Sequence, residues 1–480
     1  MNYLISIKNS SFDLSTLKCY TNQHMSGFRD IVRKDVISWA LYDFANTIYS
    51  MNILSLYFAG WLIVDMGYKD IYYSAAYSVS MLASAILMPA FGYFSDRPSR
   101  SSNKTPQKKL ILLAVFTFGA VISVFAFSLT PVSAIFLILF FFMLSNFFFE
   151  GGIVFYNALL DSVSNSGNVG KVSGFGVALG YLGSIVGMIL VLPFVTGSLF
   201  GLDIPFMSAG GKSAAFMPTA IYFAIFAIPI FLFVREKPRS GFINNNNSIG
   251  DPGLLTAYKN VWKSLTSTKK YPGLLRFLIS DYFFEDAIAT VIIFMAVFID
   301  RVLGMGDSEK AIFMIISTVF ATIGAYIFGL MADRIHPRKV LSFIVGGWII
   351  TLVVFSVNSI PAIFWISGPI VGVLLGGVWA VSRPLLILLS PREKLGEFFG
   401  LFSISGRAAA ICGPMVWGAV VYLFSQDFFI GQVIAESFEL SDAAATKLPY
   451  RLAVLSLAVM MAFGLYIFRK VPLAERKNDA

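Results

Sequence analysis

A chain of 480 residues that is 57% hydrophobic, 16% aromatic and only 13% charged does not read as a soluble domain, where charged residues make up about 25%. Mean hydropathy of +0.76 and 48 phenylalanines point instead to lipid-facing surface and interfacial belts. The net charge of +9 is spread through loops, so nucleic acid is excluded as a partner and the bilayer becomes the expected one.

Two cysteines, Cys19 and Cys412, and two histidines, His24 and His336, give neither a disulfide framework nor a zinc or haem ligand set. No metal and no cofactor are expected, and the absence of a Gly-x-x-x-x-Gly-Lys loop leaves ATP drive unsupported.

Residues 1–35 form a polar arm without the apolar run of a secretory signal. Residues 1–24 differ in character from the remainder of the chain, which makes Met25 an alternative start. Apolar runs long enough to cross a bilayer, which takes about 20 helical residues, then recur at 36–64, 72–95, 109–130, 133–156, 172–197 and 214–234. A polar segment, 235–272, separates them from six more at 273–299, 310–331, 339–357, 361–389, 397–424 and 449–469. The expected fold is therefore all-α and integral to the membrane, with twelve transmembrane helices in two six-helix bundles, 36–234 and 273–470, and a short tail, 471–480.

Of 36 Lys and Arg, six fall in alternate loops on one side, two (Arg383 and Arg407) in or beside spans, and the remaining 28 on the other side. The positive-inside rule then places both termini and the 235–272 segment in the cytoplasm.

The first span opens with Trp39-Ala-Leu-Tyr-Asp-Phe-Ala-Asn-Thr47, which sets Asp43 and Asn46 on one helix face within a greasy run. A charge at that depth costs roughly 2.5–3.5 kcal/mol on insertion scales and normally faces a protein interior or a wet cavity. The seventh span carries Asp281, Glu285 and Asp286. Asp286-x-x-x-Thr290 mirrors Asp43-x-x-x-Thr47, so Asp286 is the expected symmetry mate of Asp43. A carboxyl group away from water favours its neutral form and can exchange a proton as water access changes; structural hydrogen bonds or ion pairs with Arg383 or Arg407 are the plainer alternative. Glu150, near the inner end of the fourth span, is either a further pathway acid or an interfacial one. Arg407 can hold a substrate carboxylate bidentately or neutralise an acid of the seventh span.

The halves look duplicated. Gly92-Tyr-Phe-Ser-Asp-Arg97 after the second span matches Gly329-Leu-Met-Ala-Asp-Arg334 after the eighth. An offset of 226 pairs Gly174, Gly180 and Gly187 with Gly400, Gly406 and Gly413. Parallel six-span repeats are a transporter architecture.

The two Gly-x-x-x-Asp-Arg loops resemble the signature of the major facilitator superfamily. The Trp39–Asn46 opening, Tyr156-Asn-Ala-Leu-Leu160, Ser173–Gly183, Glu397-Phe-Phe-Gly400 and Ser405-Gly-Arg-Ala-Ala-Ala410 resemble its branch named for the autophagy-related vacuolar amino-acid effluxer. Departures occur at Asp161, which follows Tyr156-Asn-Ala-Leu-Leu160 directly, and at Ile335-His336.

The resemblance implies a carrier rather than an enzyme. It would move neutral amino acids or related metabolites outward by alternating access, as a monomer, in a cell membrane if prokaryotic or a vacuolar membrane if eukaryotic. It also implies that Gly92, Asp96, Arg97, Gly329, Asp333 and Arg334 latch the cytoplasmic side; solvated juxtamembrane charge is the alternative. Proton coupling through Asp43 is the working hypothesis. A receptor or scaffold built on a carrier fold is the rival from another class, and a lipid-processing enzyme would need more than the lone cluster of acids in the seventh span.

Overall fold

The computed structural model describes residues 31–68, 70–96, 107–199, 202–203, 208–237, 273–305, 307–358 and 360–473, with isolated positions 256, 259, 263 and 271. Most of the expected polar arm, Arg97 and most of the 235–272 segment lie outside these residues.

The first helix, α1, is regular over Lys34–Tyr49 and continues in wide, π-type turns at Ser50–Tyr57 and Trp61–Asp65, with one ordinary turn, Phe58–Gly60, between them. Side chains explain the loosening. Thr47 donates to the carbonyls of Asp43 and Phe44, Ser50 to that of Thr47, and Asn52 to that of Ile48. Each competes with the i→i−4 ladder for its acceptor.

The N-terminal half continues with α2 (Asp70–Ser95), α3 (Lys108–Leu129), α4 (Ile135–Ala158), α5 (Val169–Thr196) and α6 (Phe216–Phe233). The C-terminal half comprises α7 (Leu274–Phe298), α8 (Asp307–Arg334), α9 (Pro337–Val357), α10 (Pro361–Leu389), α11 (Leu395–Leu423) and α12 (Asp442–Phe468). A two-residue ribbon pairs Ser198–Leu199 with Leu202–Asp203 between α5 and α6.

Two features were not expected from the sequence. A nine-residue helix, Phe429–Ser437, lies between α11 and α12. The helix α12 starts at Asp442 rather than 449, because Ser441 caps it by accepting from the Ala444 N–H and Pro449 sits inside the helix.

Among the described residues, ten helices are long and apolar enough to cross a membrane. The two that fall short are informative: α1 is broken by its wide turns, and α7 carries three acids. Away from the helix contacts, large apolar side chains such as Ile111, Val115, Phe118 and Ile122 of α3 stay exposed at helical spacing, as a surface solvated by lipid requires.

The halves meet along α5–α8 and α2–α11, with further contact between α5 and α10 and between α4 and α11. Lipid offers no hydrophobic drive for helix association, so close backbone packing must supply it. A Cβ on Gly174 would stand 2.4 Å from the Ala325 carbonyl oxygen, and one on Gly92 2.1 Å from that of Gly396. Both contacts lie toward the face that holds both ends of the helical body, termed the basic face below.

Candidate functional site

The Trp39–Thr47 motif and Tyr156 form one packed unit. The Trp39 ring stacks on Tyr156 at 4.6 Å, and its Nε1 donates to the Tyr156 carbonyl at 3.0 Å. Tyr42 stacks on Tyr156 at 5.2 Å and shares a hydrogen bond of 2.6 Å with Thr117. Such aromatic pairs contribute about 0.5–1.5 kcal/mol each beyond the area they bury. Thr47 donates across to the Gly180 carbonyl at 2.6 Å, tying α1 to α5.

This platform fixes Asp43 at the gap between the halves. Its Oδ2 accepts from Nη1 of Arg383 on α10 at 3.3 Å, and the guanidinium lies 5.5 Å from the centre of the Tyr156 ring.

A second ion pair also crosses the gap. Arg407 of α11 donates from Nε (3.2 Å) and Nη2 (2.9 Å) to Oε2 of Glu150 on α4, and from Nη2 to the Glu150 carbonyl at 2.9 Å. Its Nη1 donates to Ser403. The acid that Arg407 neutralises is therefore Glu150, not an acid of the seventh span. Helical periodicity places a side chain on a face of its own helix but says nothing of which helix stands opposite.

Among the described residues, the acids of α7 lack cationic partners of this kind. Glu285 accepts from Trp379 Nε1 with both oxygens, at 3.0 and 3.2 Å. Asp281 is fully buried; its Oδ2 accepts from Ser405 at 3.2 Å, and its Oδ1 has no hydrogen-bond partner. Asp286 turns toward α11, where its Oδ1 accepts from the Gly413 N–H at 2.5 Å.

The position related to Asp43 by the duplication is Asp281, not the expected Asp286. Gly187 touches Ile48, and its repeat mate Gly413 sits between Thr290 and Asp286, one turn apart, with the Asp286 contact including the main-chain oxygen. The offset of 238 that carries 48 to 286 carries Asp43 to Asp281. Aromatic packing agrees: Gly176 lies against Trp39, and 226 and 238 residues on, Phe402 stacks on Phe277.

Asp43, Asn46, Glu150, Asp281, Glu285, Arg383 and Arg407 all line a cavity of about 510 Å³ between the halves, whereas Asp286 is not among its lining residues. Tyr77, Tyr181, Trp379 and Ser403 line it too and were not singled out from sequence. Trp379 could have been found by asking which aromatic shares a helix face with Arg383, four residues on. Buried Asn46 and Asn157 each leave Oδ1 without a partner, so the wall also offers amide acceptors.

At the basic face, two carboxylates repeat one geometry. Asp333, in the last turn of α8, accepts from the Gly170 N–H at 2.7 Å and the Lys171 N–H at 2.6 Å, at the start of α5. Asp96, after α2, accepts from the Glu397 N–H at 2.8 Å, at the start of α11, and pairs with Lys109 at 3.2 Å. Carboxylates at helix N-termini satisfy free N–H groups and oppose the positive end of the dipole. Gly92 and Gly329 allow the neighbouring backbones to approach, Arg334 is exposed, and Arg97 lies outside the described residues.

Two six-helix halves around a polar, charged cavity define a membrane transporter of the major facilitator type. More narrowly, the chain belongs to the family described as vacuole effluxer Atg22 like, whose model matches residues 160–423, more than half of its length; the Major Facilitator Superfamily model matches residues 8–188.

Among relatives, an uncharacterized MFS-type transporter, YxiO, of Bacillus subtilis is 26% identical over 92% of this chain and 97% of its own. Autophagy-related protein 22 of Kluyveromyces lactis is 25% identical over 52% of each chain. Among solved structures, a bacterial homologue of the iron transporter ferroportin in an outward-facing state superposes with TM-score 0.62 at 12% identity, covering 92% of this chain and 99% of that one. The human organic anion transporter MFSD10 gives 0.63 at 11% identity with the same coverage. At these identities the likeness is one of fold.

Proposed function

We propose that this protein is a secondary active transporter that moves a small solute, neutral amino acids or related metabolites, by alternating access with coupling to protons. The observation that carries the reading is the cavity between the halves, with two ion pairs, Asp43–Arg383 and Glu150–Arg407, each joining one half to the other. Rocking the halves apart on one side and together on the other must remake these pairs and change the water access of every acid in the cavity.

In this reading the basic face is cytoplasmic and closed, with Asp96 and Asp333 as its latches. The effluxer relatives support outward movement of the solute, across a cell membrane in a prokaryote or a vacuolar membrane in a eukaryote. A single chain supplies both halves of the cavity, so the monomer suffices.

Counterflow into proteoliposomes tests it, using an amino-acid panel with and without an imposed proton gradient. The expected result is saturable exchange of at least one panel member, enhanced by the gradient and lost in Arg407→Ala protein. Binding of a panel member without flux in either condition would count against a carrier and for a receptor built on this fold.

A further inference from the structure

The cavity holds four carboxyl groups and two guanidinium groups, and both guanidiniums bridge to acids of the N-terminal half. The C-terminal half's own acids, Asp281 and Glu285, are left as a pair on successive turns of α7 with hydroxyl and indole donors only. We infer that the Asp281–Glu285 pair is a cation site that holds either a proton or the ammonium group of the solute, so that solute binding and proton release are one exchange. This rests on the cavity being the solute site.

Three observations support it. Asp281 is fully buried, lines the cavity and keeps Oδ1 without a hydrogen-bond partner, with only the Ser382 hydroxyl facing the carboxyl group besides Ser405 among the described residues. Trp379, which donates to Glu285, stacks with Tyr181 of the opposite half at 6.1 Å and 13°, so aromatic surface flanks the carboxylate. A carboxylate beside aromatic rings suits an alkylammonium, which gains from both the charge and the ring quadrupole. Finally, an ionised acid in a water-poor setting is costly unless neutralised, so whatever leaves the pair must be replaced by another positive charge.

Among the described residues, the surroundings offer no substitute. Arg383 faces Glu285 from α10 but bridges to Asp43 of α1, and Arg407 of α11 bridges to Glu150. The helix α11 otherwise presents the Ser405 hydroxyl, α10 the Ser382 hydroxyl, and α5 the Tyr181 phenol. On the far side of α7, α12 contributes the apolar Gly464 and Phe468, and Asp286 points to Gly413. The exchange balances at the pair: the ammonium group enters from the open side, one O–H bond of the pair breaks, and its proton passes to water, so that the acids and the cation they hold keep the same summed charge. The coupling role expected for Asp43 thereby moves to α7.

The test uses the purified full chain in lightly buffered detergent with a pH-sensitive dye and tryptophan fluorescence. The probes are butylamine, phenethylamine and putrescine, each against its carboxylate counterpart: butyrate, 3-phenylpropionate and succinate.

At least one amine is expected to bind and release about one proton per site, with no binding by the carboxylates. The apparent affinity of the unmutated protein should weaken by up to about tenfold per unit of falling pH, as expected for one competing proton. Asp281→Asn and Glu285→Gln should each weaken amine binding by roughly tenfold or more and abolish proton release. The pH series needs no variant, so a misfolded mutant does not protect the idea.

Failure of every amine to bind, binding without proton release, or undiminished binding in both variants overturns it. Flux of an amine-free solute with indifference to amines would sink this inference and leave the carrier standing. Amine–proton exchange without flux would do the reverse.

Discussion

The two halves descend from one plan yet treat their buried acids in opposite ways. In the N-terminal half, Asp43 and Glu150 each receive an arginine from across the gap. In the C-terminal half, Asp281 and Glu285 receive a serine and a tryptophan from their own side. Both cationic side chains thus come from the half whose acids they do not serve. The arginines join the halves at the cavity, while the pair on α7 has no such bridge among the described residues.

The largest effect should come from breaking the tighter bridge. Arg407→Ala leaves Glu150 without its bidentate partner in a dry wall, an imbalance of about 2–5 kcal/mol for a buried charge pair, and counterflow should fall at least thirtyfold. Arg407→Lys should recover only part of it, because one ammonium cannot reproduce the bonds from Nε and Nη2.

The Asp43–Arg383 bridge comes next. Asp43→Asn and Arg383→Gln should each lower melting temperature in detergent, and the double variant less than the sum, with a coupling of about 1–3 kcal/mol. Strict additivity would mean that the 3.3 Å contact contributes nothing.

A steric change sharpens the comparison without touching charge. Gly174→Val would push a side chain onto the Ala325 carbonyl and should hold α5 from α8, raising labelling of a cysteine placed on the basic face severalfold. Asp333→Asn and Asp96→Asn should act in the same sense but by only about 1 kcal/mol each, the usual worth of a carboxylate at a helix N-terminus. The smallest effect is expected from Asp286→Asn, whose amide can still accept from Gly413: flux within about twofold of the unmutated protein, and stability lowered by about 1 kcal/mol or less.

All twelve spans were legible because crossing a bilayer demands long apolar helices, and composition records that demand directly. The two Asp-Arg loops were legible as a repeat because their spacing is short and rigid. The partners of the charges were not. Glu150 and Arg407 stand 257 positions apart, and no local pattern announces that α4 and α11 face each other. Five positions separate the acid that sequence matched to Asp43 from the acid that packing matches to it, since glycine contacts, not residue identity, set the register of α1 and α7. The short helix Phe429–Ser437 was not legible because nine residues between two spans are fewer than the window over which helical periodicity is read.

The contacts made by Asp96 and Asp333 have an evolutionary corollary. Each carboxylate grips main-chain N–H groups of the opposing helix, a chemical feature that every residue type except proline supplies. Drift at positions 171 and 397 therefore leaves the receiving groups in place, whereas at 170 a Cβ would meet the Gly329 carbonyl oxygen at 2.4 Å. On the proposed alternating-access cycle, the balance between the two orientations would be retuned by a single codon on the donor-seeking side, at 96 or at 333, one half at a time.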